Sequence, residues 1–404
     1  MNYRLITLIL WPVFFFYTLK IAIRDKSSRY FFQRLGYKYP IQNNQILWIH
    51  CASVGEVNTY FPLHLKLLEL HPETQFIITT NTTTGASTVN RHNAPRTTHC
   101  YLPIESSFAI KQFLKNCKPA QCLIMETEIW PLLYRYINAQ NISLSIINAR
   151  LSHRTLNANN WIKSLYKTSL GLVNKIVCKS EAELNNYKIL GATDLQLSVG
   201  GNLKFATSSS NSDTKYIDIN NRKYWVAAST HNNEEQQLTE IWKQLETDRL
   251  LVIMPRHPNR SEQIQKQLGE LNVKYAVRSQ QQPVTNDTQI YLADTLGELN
   301  DFMANAELVF MGGSLIKHGG QNLLEPARLG KTVICGPHMF NFKDEMKLLL
   351  EQKACIQVSS LNELETLFSE ILTHPEQYQS IGIKARKLLD QQSDILDTYL
   401  SQLS

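Results

Sequence analysis

The sequence predicts an α/β protein built from two doubly wound, Rossmann-like domains. Short apolar runs alternate with helical stretches from residue 46 onward, and most of these runs are continuously apolar, as in parallel strands buried on both faces. A polar stretch near residue 210 interrupts the alternation, which then restarts. Because 404 residues are many for one core, two domains are expected on length as well.

The apolar pattern defines the individual elements. The predicted strands are residues 46–50, 75–81, 98–103, 121–128, 143–150 and 175–180, then 224–230, 249–257, 273–279, 290–295, 307–313, 331–337 and 354–358. The predicted helices are residues 57–70, 108–116, 130–140, 182–190, 234–246, 296–306, 321–330 and 343–352. The resulting division is a first domain at 26–205, a linker at 206–223, a second domain at 224–380 and a C-terminal helix at 381–404.

Residues 1–25 predict a membrane anchor or a helix that lies in the membrane surface. The uninterrupted apolar part is about fifteen residues, fewer than the roughly 20 that span a bilayer comfortably. Six basic residues close or follow it: Lys20, Arg24, Lys26, Arg29, Arg34 and Lys38. The positive-inside rule then predicts a cytoplasmic body. The alternative is a buried first helix.

Composition and charge exclude several kinds of site. The net charge is +6, but outside the N-terminal cluster the basic residues are dispersed, which disfavours a nucleic-acid partner. The seven cysteines are odd in number and form no C-x-x-C pair, so a disulfide framework or a zinc site is not expected.

The first predicted strand ends in the turn S-V-G, which Glu56 follows at once. In open α/β sheets, ligands bind beyond the carboxyl ends of the strands, so a carboxylate here can face a ligand. Glu56 is therefore a candidate general base for a ligand hydroxyl, and Ser53 is a secondary candidate beside it. The alternative is a first-turn acid that only complements the helix dipole.

Other strand ends of the first domain carry further candidates. Thr84 lies in a Thr-rich turn that suits a phosphate or a sugar, or it caps a helix. Glu126 and Glu128 lie on one face of a strand end and can orient a positive group or stabilise developing charge. Arg150 follows the next strand, and Lys204 closes the domain. A solvated surface role is the alternative for each.

The second domain repeats this arrangement at its own strand ends. The candidates are Ser229, Thr230, Arg256, His257, Gly312, Gly313, Asn322 and Glu325. Glycines let the backbone approach a ligand, a helix start attracts anions, and arginine binds phosphate through two donors. Neither G-x-x-x-x-G-K-[ST] nor G-x-G-x-x-G occurs, which disfavours a P-loop or a dinucleotide site. The pattern favours a nucleotide-activated donor.

From about residue 30 to about residue 350, the chain resembles the 3-deoxy-D-manno-octulosonic acid (Kdo) transferases of lipid A assembly. The matching motifs are IHCASVGE, TTNTTTG, YLPIE, METEIWP, INARLSHR, GNLKF, ASTHNNEE, PRHPNR, GELNDF, FMGGSLIKHGGQNLLEPA and CGPHMFNFKD. Their number and their order make the resemblance specific.

The resemblance implies a GT-B glycosyltransferase, in which two Rossmann-like domains face a cleft. It implies CMP-Kdo as the donor and the acylated, bisphosphorylated glucosamine disaccharide precursor of lipid A (lipid IVA) as the acceptor. It further implies inversion at the anomeric carbon, no metal, no cofactor, and attachment to the cytoplasmic face of the inner membrane. The chain has no Asp-x-Asp pair, with which many glycosyltransferases hold a divalent cation.

The resemblance also implies residue roles. Glu56 corresponds to the general base, and Glu126 and Lys204 correspond to groups that support the transition state. The implied contacts to CMP are Arg256, His257, Gly297, Glu298, Leu299, Asn322 and Glu325. Where the family often has GGHNPLE, this chain has Gln321 and Leu323.

Two alternatives remain open at this point. One is another GT-B protein that uses a UDP-sugar, such as the membrane-associated transferase of peptidoglycan synthesis or a UDP-sugar epimerase. The other is a membrane-anchored binding protein without catalysis. The number of Kdo units added, the acyl preference and the oligomeric state do not follow from the sequence.

Overall fold

The computed structural model describes residues 3–41, 46–206, 214–392 and 394–403, which form two compact units. The first unit comprises the chain up to residue 208 together with the residues from 393 onward, and the second comprises residues 209–392. That the two domains face a cleft stays a prediction.

The sheet of the first unit contains, in its described part, seven parallel strands in the order β3-β2-β1-β4-β5-β6-β7. The strands are β1 (Ile46–His50), β2 (Gln75–Thr80), β3 (Thr97–Tyr101), β4 (Pro119–Met125), β5 (Ser143–Ala149), β6 (Lys175–Cys178) and β7 (Leu197–Val199). The strand order reverses at β1, which pairs with both β2 and β4. The loops after β1 and β4 therefore diverge and leave a crevice, where ligands of doubly wound sheets bind.

Helices cover both faces of this sheet. They are α1 (Tyr3–Ile9), α2 (Trp11–Arg24), α3 (Ser28–Arg34), α4 (Val54–Leu70), α5 (Thr83–His92), α6 (Ser107–Cys117), α7 (Pro131–Ala139), α8 (His153–Leu156), α9 (Asn160–Leu170) and α10 (Glu181–Leu190). Several begin at a Ser or Thr whose side chain accepts the N–H three residues on, as Ser53 does for α4 and Ser106 for α6. In the core, Trp48 of β1 packs edge-on against Phe113 of α6 with 4.8 Å between ring centroids.

The second unit repeats the architecture with strand order β10-β11-β9-β8-β12-β13-β14, again all parallel. The strands are β8 (Tyr224–Thr230), β9 (Leu250–Pro255), β10 (Tyr275–Val277), β11 (Ile290–Leu292), β12 (Leu308–Met311), β13 (Thr332–Cys335) and β14 (Ile356–Gln357). The helices are α11 (Glu234–Gln244), α12 (Ser261–Glu270), α13 (Leu299–Asn305), α14 (Leu324–Arg328), α15 (Lys343–Glu351), α16 (Leu361–Thr373) and α17 (Pro375–Asp390). Here the order reverses at β8, so the loops after β8 and β12 flank the crevice.

The predicted strands are confirmed to within a few residues, and the α/β class is confirmed with them. The strand predicted at 121–128 ends at Met125, because Glu126 takes a left-handed backbone conformation with φ 57°. Strand β7 has only three residues, and the sequence analysis did not identify it.

The N-terminal segment forms two helices instead of one apolar membrane helix. The helix is interrupted between Ile9 and Trp11. Pro12 lies at the start of α2 and has no N–H, so it cannot continue the helical hydrogen bonds of α1. The two helices have 7 and 14 residues. Within the residues that the structure describes, no helix combines the length and the apolar character needed to cross a membrane.

The domain ends differ in part from the prediction. Residues 207–213 of the predicted linker lie outside the described residues. In place of the single C-terminal helix predicted at 381–404, the described residues contain the end of α17 and a separate helix, α18 (Ile395–Leu403), which belongs to the first unit. The buried Tyr399 explains this packing: its ring lies where a Cβ on Gly200 would come within 2.7 Å, and its hydroxyl donates to Gly201 O at 2.9 Å.

Candidate active site

Glu56 lies on the first turn of α4, directly after β1. Its Oε2 accepts a hydrogen bond from Ala52 N at 2.8 Å, and Ser53 Oγ, 3.4 Å from Oε1, also accepts from Glu56 N at 3.4 Å. Together these contacts cap the start of α4 and fix the carboxylate at the crevice. Ser53 thus contributes to the site as the cap that holds Glu56.

The surroundings of Glu56 make it a stronger base than an ordinary glutamate. Burial and the nearby carboxylates of Glu126 and Glu128 raise its pKa from 4.5 to about 8, against the hydrogen bond from Ala52. A carboxyl group with a pKa near the operating pH is well matched to general base catalysis. Like-charge crowding combined with burial is the usual source of such a shift.

Glu126 follows β4, the strand that neighbours β1, and its side chain is buried. Its Oε2 accepts from Arg150 Nε at 2.5 Å, so two predicted candidates form one ion pair. The left-handed backbone at Glu126 costs about 1–3 kcal/mol and is held by hydrogen bonds from Glu126 N to Ile147 O and from Tyr187 Oη to Glu126 O. Backbone strain of this kind at a strand end is typical of functional sites.

Lys204 lies in a short 3₁₀ turn, Leu203–Phe205, within the first unit. Two asparagine side chains fix this turn: Asn202 Oδ1 accepts from Lys204 N at 3.1 Å, and Asn148 Oδ1 accepts from Leu203 N at 3.1 Å. Asn148 lies in β5, one residue before its end, with φ 50°, and donates its N–H to Tyr399 Oη. Because Asn148 and Leu203 are 55 residues apart in the chain, the bond that ties this turn to the sheet is visible only in the fold.

The alternative interpretation of Thr84, as a helix cap, is wrong, whereas a contact of this turn with a phosphate or a sugar stays a prediction. Thr82, with extended backbone, caps α5 by accepting from Gly85 N at 3.1 Å. Thr84 lies within the first turn of the helix, where its exposed hydroxyl donates to Thr82 Oγ1 at 3.3 Å. A run of threonines gives each the same cap propensity, so the sequence does not distinguish between them.

In the second unit, the loops after β8 and β12 lie against each other. A Cβ on Gly312 would lie 2.5 Å from Ser229 O, which requires glycine at this position. Gly313 and Ser229 both have positive φ, 68° and 54°. Thr230 is fully buried, and its hydroxyl donates to Glu235 Oε1 at 2.9 Å, so its side chain is used within the protein.

Glu234 holds these two loops together, and the sequence analysis did not identify it. Its buried carboxylate accepts four backbone N–H groups, from His231 at 2.9 Å, Gly313 at 2.6 Å, and Ser314 and Leu315 at 3.0 Å. Burial raises the pKa of Glu234, and the four donors act in the opposite direction. The motif that contains it was visible, but a first-turn acid gives no sign of bonds to a loop some 80 residues away.

Arg256 and His257 follow β9 and are exposed. His257 lies edge-on to His231 at 5.9 Å, and His231 is also in contact with His318 at 3.8 Å between ring centroids. Burial and then these two neighbouring histidines lower the pKa of His231 to about 4, so it is neutral near pH 7. Gln321 Nε2 lies 2.9 Å from His231 Nε2 and so joins the same cluster.

Gly297, Glu298 and Leu299 form the turn into α13, with Gly297 at φ 90°. The Glu298 carboxylate is paired with Arg278, with 2.7 Å between Nη2 and Oε1, and this contact lowers its pKa. The pair lines a cavity of about 760 Å³ beside Leu296, which is 82% exposed. The side chain of Glu298 is therefore paired within the protein, whereas Gly297 of the same turn is exposed.

Asn322 and Glu325 are in direct contact, as Asn322 Nδ2 donates to Glu325 Oε1 at 2.9 Å. Asn322 Oδ1 also accepts from Leu324 N, the first residue of α14. Burial raises the pKa of Glu325 in spite of the Asn322 contact. The helix predicted at 321–330 is shorter in the structure, where α14 has the five residues Leu324–Arg328, because Pro326 and the turn at Gly330 limit its length.

Within the described ranges, no three His, Cys, Asp or Glu side chains are grouped to hold a metal ion. The expectation that the reaction needs no metal and no cofactor stays a prediction.

Two seven-stranded parallel sheets, each with polar groups at its switch point, define an α/β protein of the GT-B class. The UDP-GlcNAc 2-epimerase of Neisseria meningitidis shares this fold at 15% identity, with a TM-score of 0.57 over 88% of this chain and 100% of that chain.

A family model described as 3-Deoxy-D-manno-octulosonic-acid transferase (kdotransferase) matches residues 29–207. The 3-deoxy-D-manno-octulosonic acid transferase of Haemophilus influenzae is 32% identical over 400 residues, which cover 93% of each chain. A solved C-terminal CMP-Kdo binding domain of WaaA from Acinetobacter baumannii is 32% identical over 42% of this chain and 91% of that chain, with a TM-score of 0.40. The chain belongs to the Kdo transferase family and is a glycosyltransferase.

Proposed function

We propose that this Kdo transferase moves Kdo from CMP-Kdo to lipid IVA, the acylated, bisphosphorylated glucosamine disaccharide, by an inverting reaction without a metal. The observation that carries the proposal is the position of Glu56, with its raised pKa, at the switch point of the first unit. The first unit binds the acceptor, and the second unit binds the nucleotide.

Glu56 acts as the general base. Its carboxylate takes the proton of an acceptor hydroxyl, whose oxygen forms a bond to the anomeric carbon of Kdo while the bond from that carbon to the CMP phosphate breaks. The electron pair of that bond leaves with CMP. A single displacement inverts the anomeric centre, which is the basis for proposing inversion.

Glu126 and Lys204 support this step in different ways. The negative charge of Glu126 helps to raise the pKa of Glu56, and Glu126 is itself held by an ion pair with Arg150. Lys204 supplies a positive charge where negative charge develops in the transition state; one such preorganised group is typically worth about 3 kcal/mol. Its turn is fixed by Asn148 and Asn202, which supports a positioned charge instead of a mobile surface lysine.

Arg256 and the backbone around Gly313 are the proposed contacts to the CMP phosphate. Arg256 is exposed at the end of β9, and Gly313 lies in the loop that Glu234 holds in place. Asn322 and Glu325 are proposed to bind the ribose. CMP carries one phosphate, so fewer cationic groups are needed than for a diphosphate donor, and this is the reason for proposing a reaction without metal.

The N-terminal helices are proposed to lie in the cytoplasmic surface of the inner membrane, where the lipid acceptor is found. Helices α1 and α2 expose large apolar side chains with exposed fractions of 40–69%: Leu5, Leu8, Ile9, Leu10, Trp11, Val13, Phe16, Tyr17 and Ile23. The basic residues between Lys20 and Lys38 lie beside this apolar surface in the chain and match anionic lipid headgroups.

The test is transfer by the purified protein from CMP-Kdo to lipid IVA, with and without EDTA. Release of CMP, a product with inverted anomeric configuration, and an unchanged rate in EDTA are expected. No release of CMP would support a binding protein, and release of CMP without glycolipid product would mean that the protein only hydrolyses the donor; either result contradicts the proposal. Thermal stabilisation by UDP but not by CMP would favour the UDP-sugar alternative.

A further inference from the structure

Glu128, which acts on Glu56 through its charge, is fixed at the same crevice. Its Oε2 accepts from Trp130 Nε1 at 2.8 Å and from Asn81 Nδ2 at 3.4 Å, and His50 Nε2 lies 3.8 Å away. No described residue donates a hydrogen bond to the other oxygen, Oε1, and the side chain is 24% exposed. One oxygen is thus fully engaged, and the other is available to a ligand.

His50 is the reason to regard this arrangement as a site instead of an isolated acid. It is fully buried at the end of β1, and its Nδ1 contacts Thr79 Oγ1 at 3.0 Å. Thr79 Oγ1 in turn accepts from Trp48 Nε1 at 2.8 Å, which fixes the imidazole plane. The remaining nitrogen, Nε2, has no hydrogen-bond partner among the described residues and points to the Glu128 carboxylate. Buried polar atoms without partners are rare and need an explanation.

The charge of Glu128 determines which ligand group it can bind. Burial acts to raise its pKa, but the contacts with His50, Trp130 and Asn81 outweigh burial and leave the pKa below its ordinary value. Glu128 is therefore ionised near pH 7 and accepts hydrogen bonds only. Its charge also acts on Glu56, so the two groups are near each other. A phosphate would be repelled here, whereas a hydroxyl or an amide N–H would be bound.

We infer that Glu128 Oε1 binds a hydroxyl or amide N–H of the acceptor sugar, close to the hydroxyl that Glu56 deprotonates, and that His50 positions the Glu128 carboxylate from behind. The inference rests on the proposed function. It makes Glu128 a residue that orients the acceptor, distinct from the base itself.

The test is steady-state kinetics of Glu128→Gln with lipid IVA and CMP-Kdo. Loss of a hydrogen bond to a charged group is expected to raise the acceptor KM about 10-fold or more, with the KM for CMP-Kdo unchanged. Glu69→Gln, an exposed acid on α4 paired only with Lys66 at the surface, is the matched control and leaves both values unchanged. An acceptor KM of Glu128→Gln within twofold of wild type overturns the inference.

His50 is tested through conservative and non-conservative variants. His50→Gln keeps a donor within reach of Glu128 and is expected to retain a lower acceptor KM than His50→Leu, whereas equal values for the two contradict the positioning role. Should Glu128→Gln not fold, Trp130→Phe removes one donor to Oε2 and still predicts a raised acceptor KM; an unchanged KM overturns the inference. In the same assay, a wild-type protein that transfers no Kdo would instead contradict the proposed function.

Discussion

The pH dependence of transfer follows from the pKa of Glu56. If Glu56 must be ionised to act, kcat/KM rises with pH and levels off above about pH 8, the value to which burial and the neighbouring acids raise its pKa. Each pH unit below this value reduces the ionised fraction about tenfold. Relative to the plateau, we expect about one-tenth of the activity at pH 7 and about one-hundredth at pH 6.

The assay is initial-rate transfer from pH 5.5 to 9.5 at low acceptor concentration, because kcat/KM reports groups of the free enzyme. Glu126→Gln removes the largest like charge near Glu56 and keeps the burial, so the midpoint moves to lower pH but not to that of an ordinary glutamate. Phosphate groups of the acceptor also titrate, but their titration does not depend on residue 126, so the shift in Glu126→Gln, absent from the Glu69→Gln control, assigns the midpoint to Glu56. A profile that is flat between pH 6 and 9 refutes the reasoning.

Three further predictions concern stability and the nucleotide site. The native protein holds the Glu56 proton more tightly than the unfolded chain does, so the free energy of unfolding falls as the pH rises from 4.5 to about 8. Urea unfolding at pH 8 should therefore find Glu56→Gln more stable than wild type. Equal stability of the two proteins would contradict the burial of this charge. Glu234→Gln turns an amide N–H₂ toward backbone donors, so it is expected to lower the free energy of unfolding in urea by about 3 kcal/mol and to weaken CMP binding. If both the stability and the CMP affinity are unchanged, Glu234 does not hold the loops as described. Gly312→Ala places a Cβ 2.5 Å from Ser229 O, so calorimetry should show weaker CMP binding and a lower Tm, while unchanged binding would mean that the loop is not part of the nucleotide site.

Much of the two sheets was predictable because parallel strands buried on both faces appear in the sequence as continuous apolar runs. Strand β8 is an example, since the predicted and the observed bounds coincide at Tyr224–Thr230. Strand β7 has only three half-buried residues and therefore shows no continuous apolar run, so it was not predicted. The apolar pattern continues across the break between α1 and α2, where Pro12 lies at the start of α2, and for this reason one helix was expected where the structure has two.

The site was predictable where its chemistry is local and not where it depends on distant contacts. Glu56 was identified because a strand, a small-residue turn and a first-turn acid are adjacent in the chain. The pairing of Glu126 with Arg150 joins residues 24 apart in the chain, and three of the four amide contacts of Glu234 join residues about 80 apart. Only the fold brings these groups together. His50 appears in the sequence as one more strand residue, and its orientation toward Glu128 becomes visible only in three dimensions.

The most direct measurement of the central claim is the turnover of purified Glu56→Gln with CMP-Kdo and lipid IVA, with CMP affinity measured on the same sample. Loss of a general base typically reduces the rate about 100- to 10,000-fold, and we predict a loss in this range with CMP affinity equal to that of wild type. A Glu56→Gln variant that transfers Kdo at the wild-type rate would contradict the assignment of Glu56 as the base.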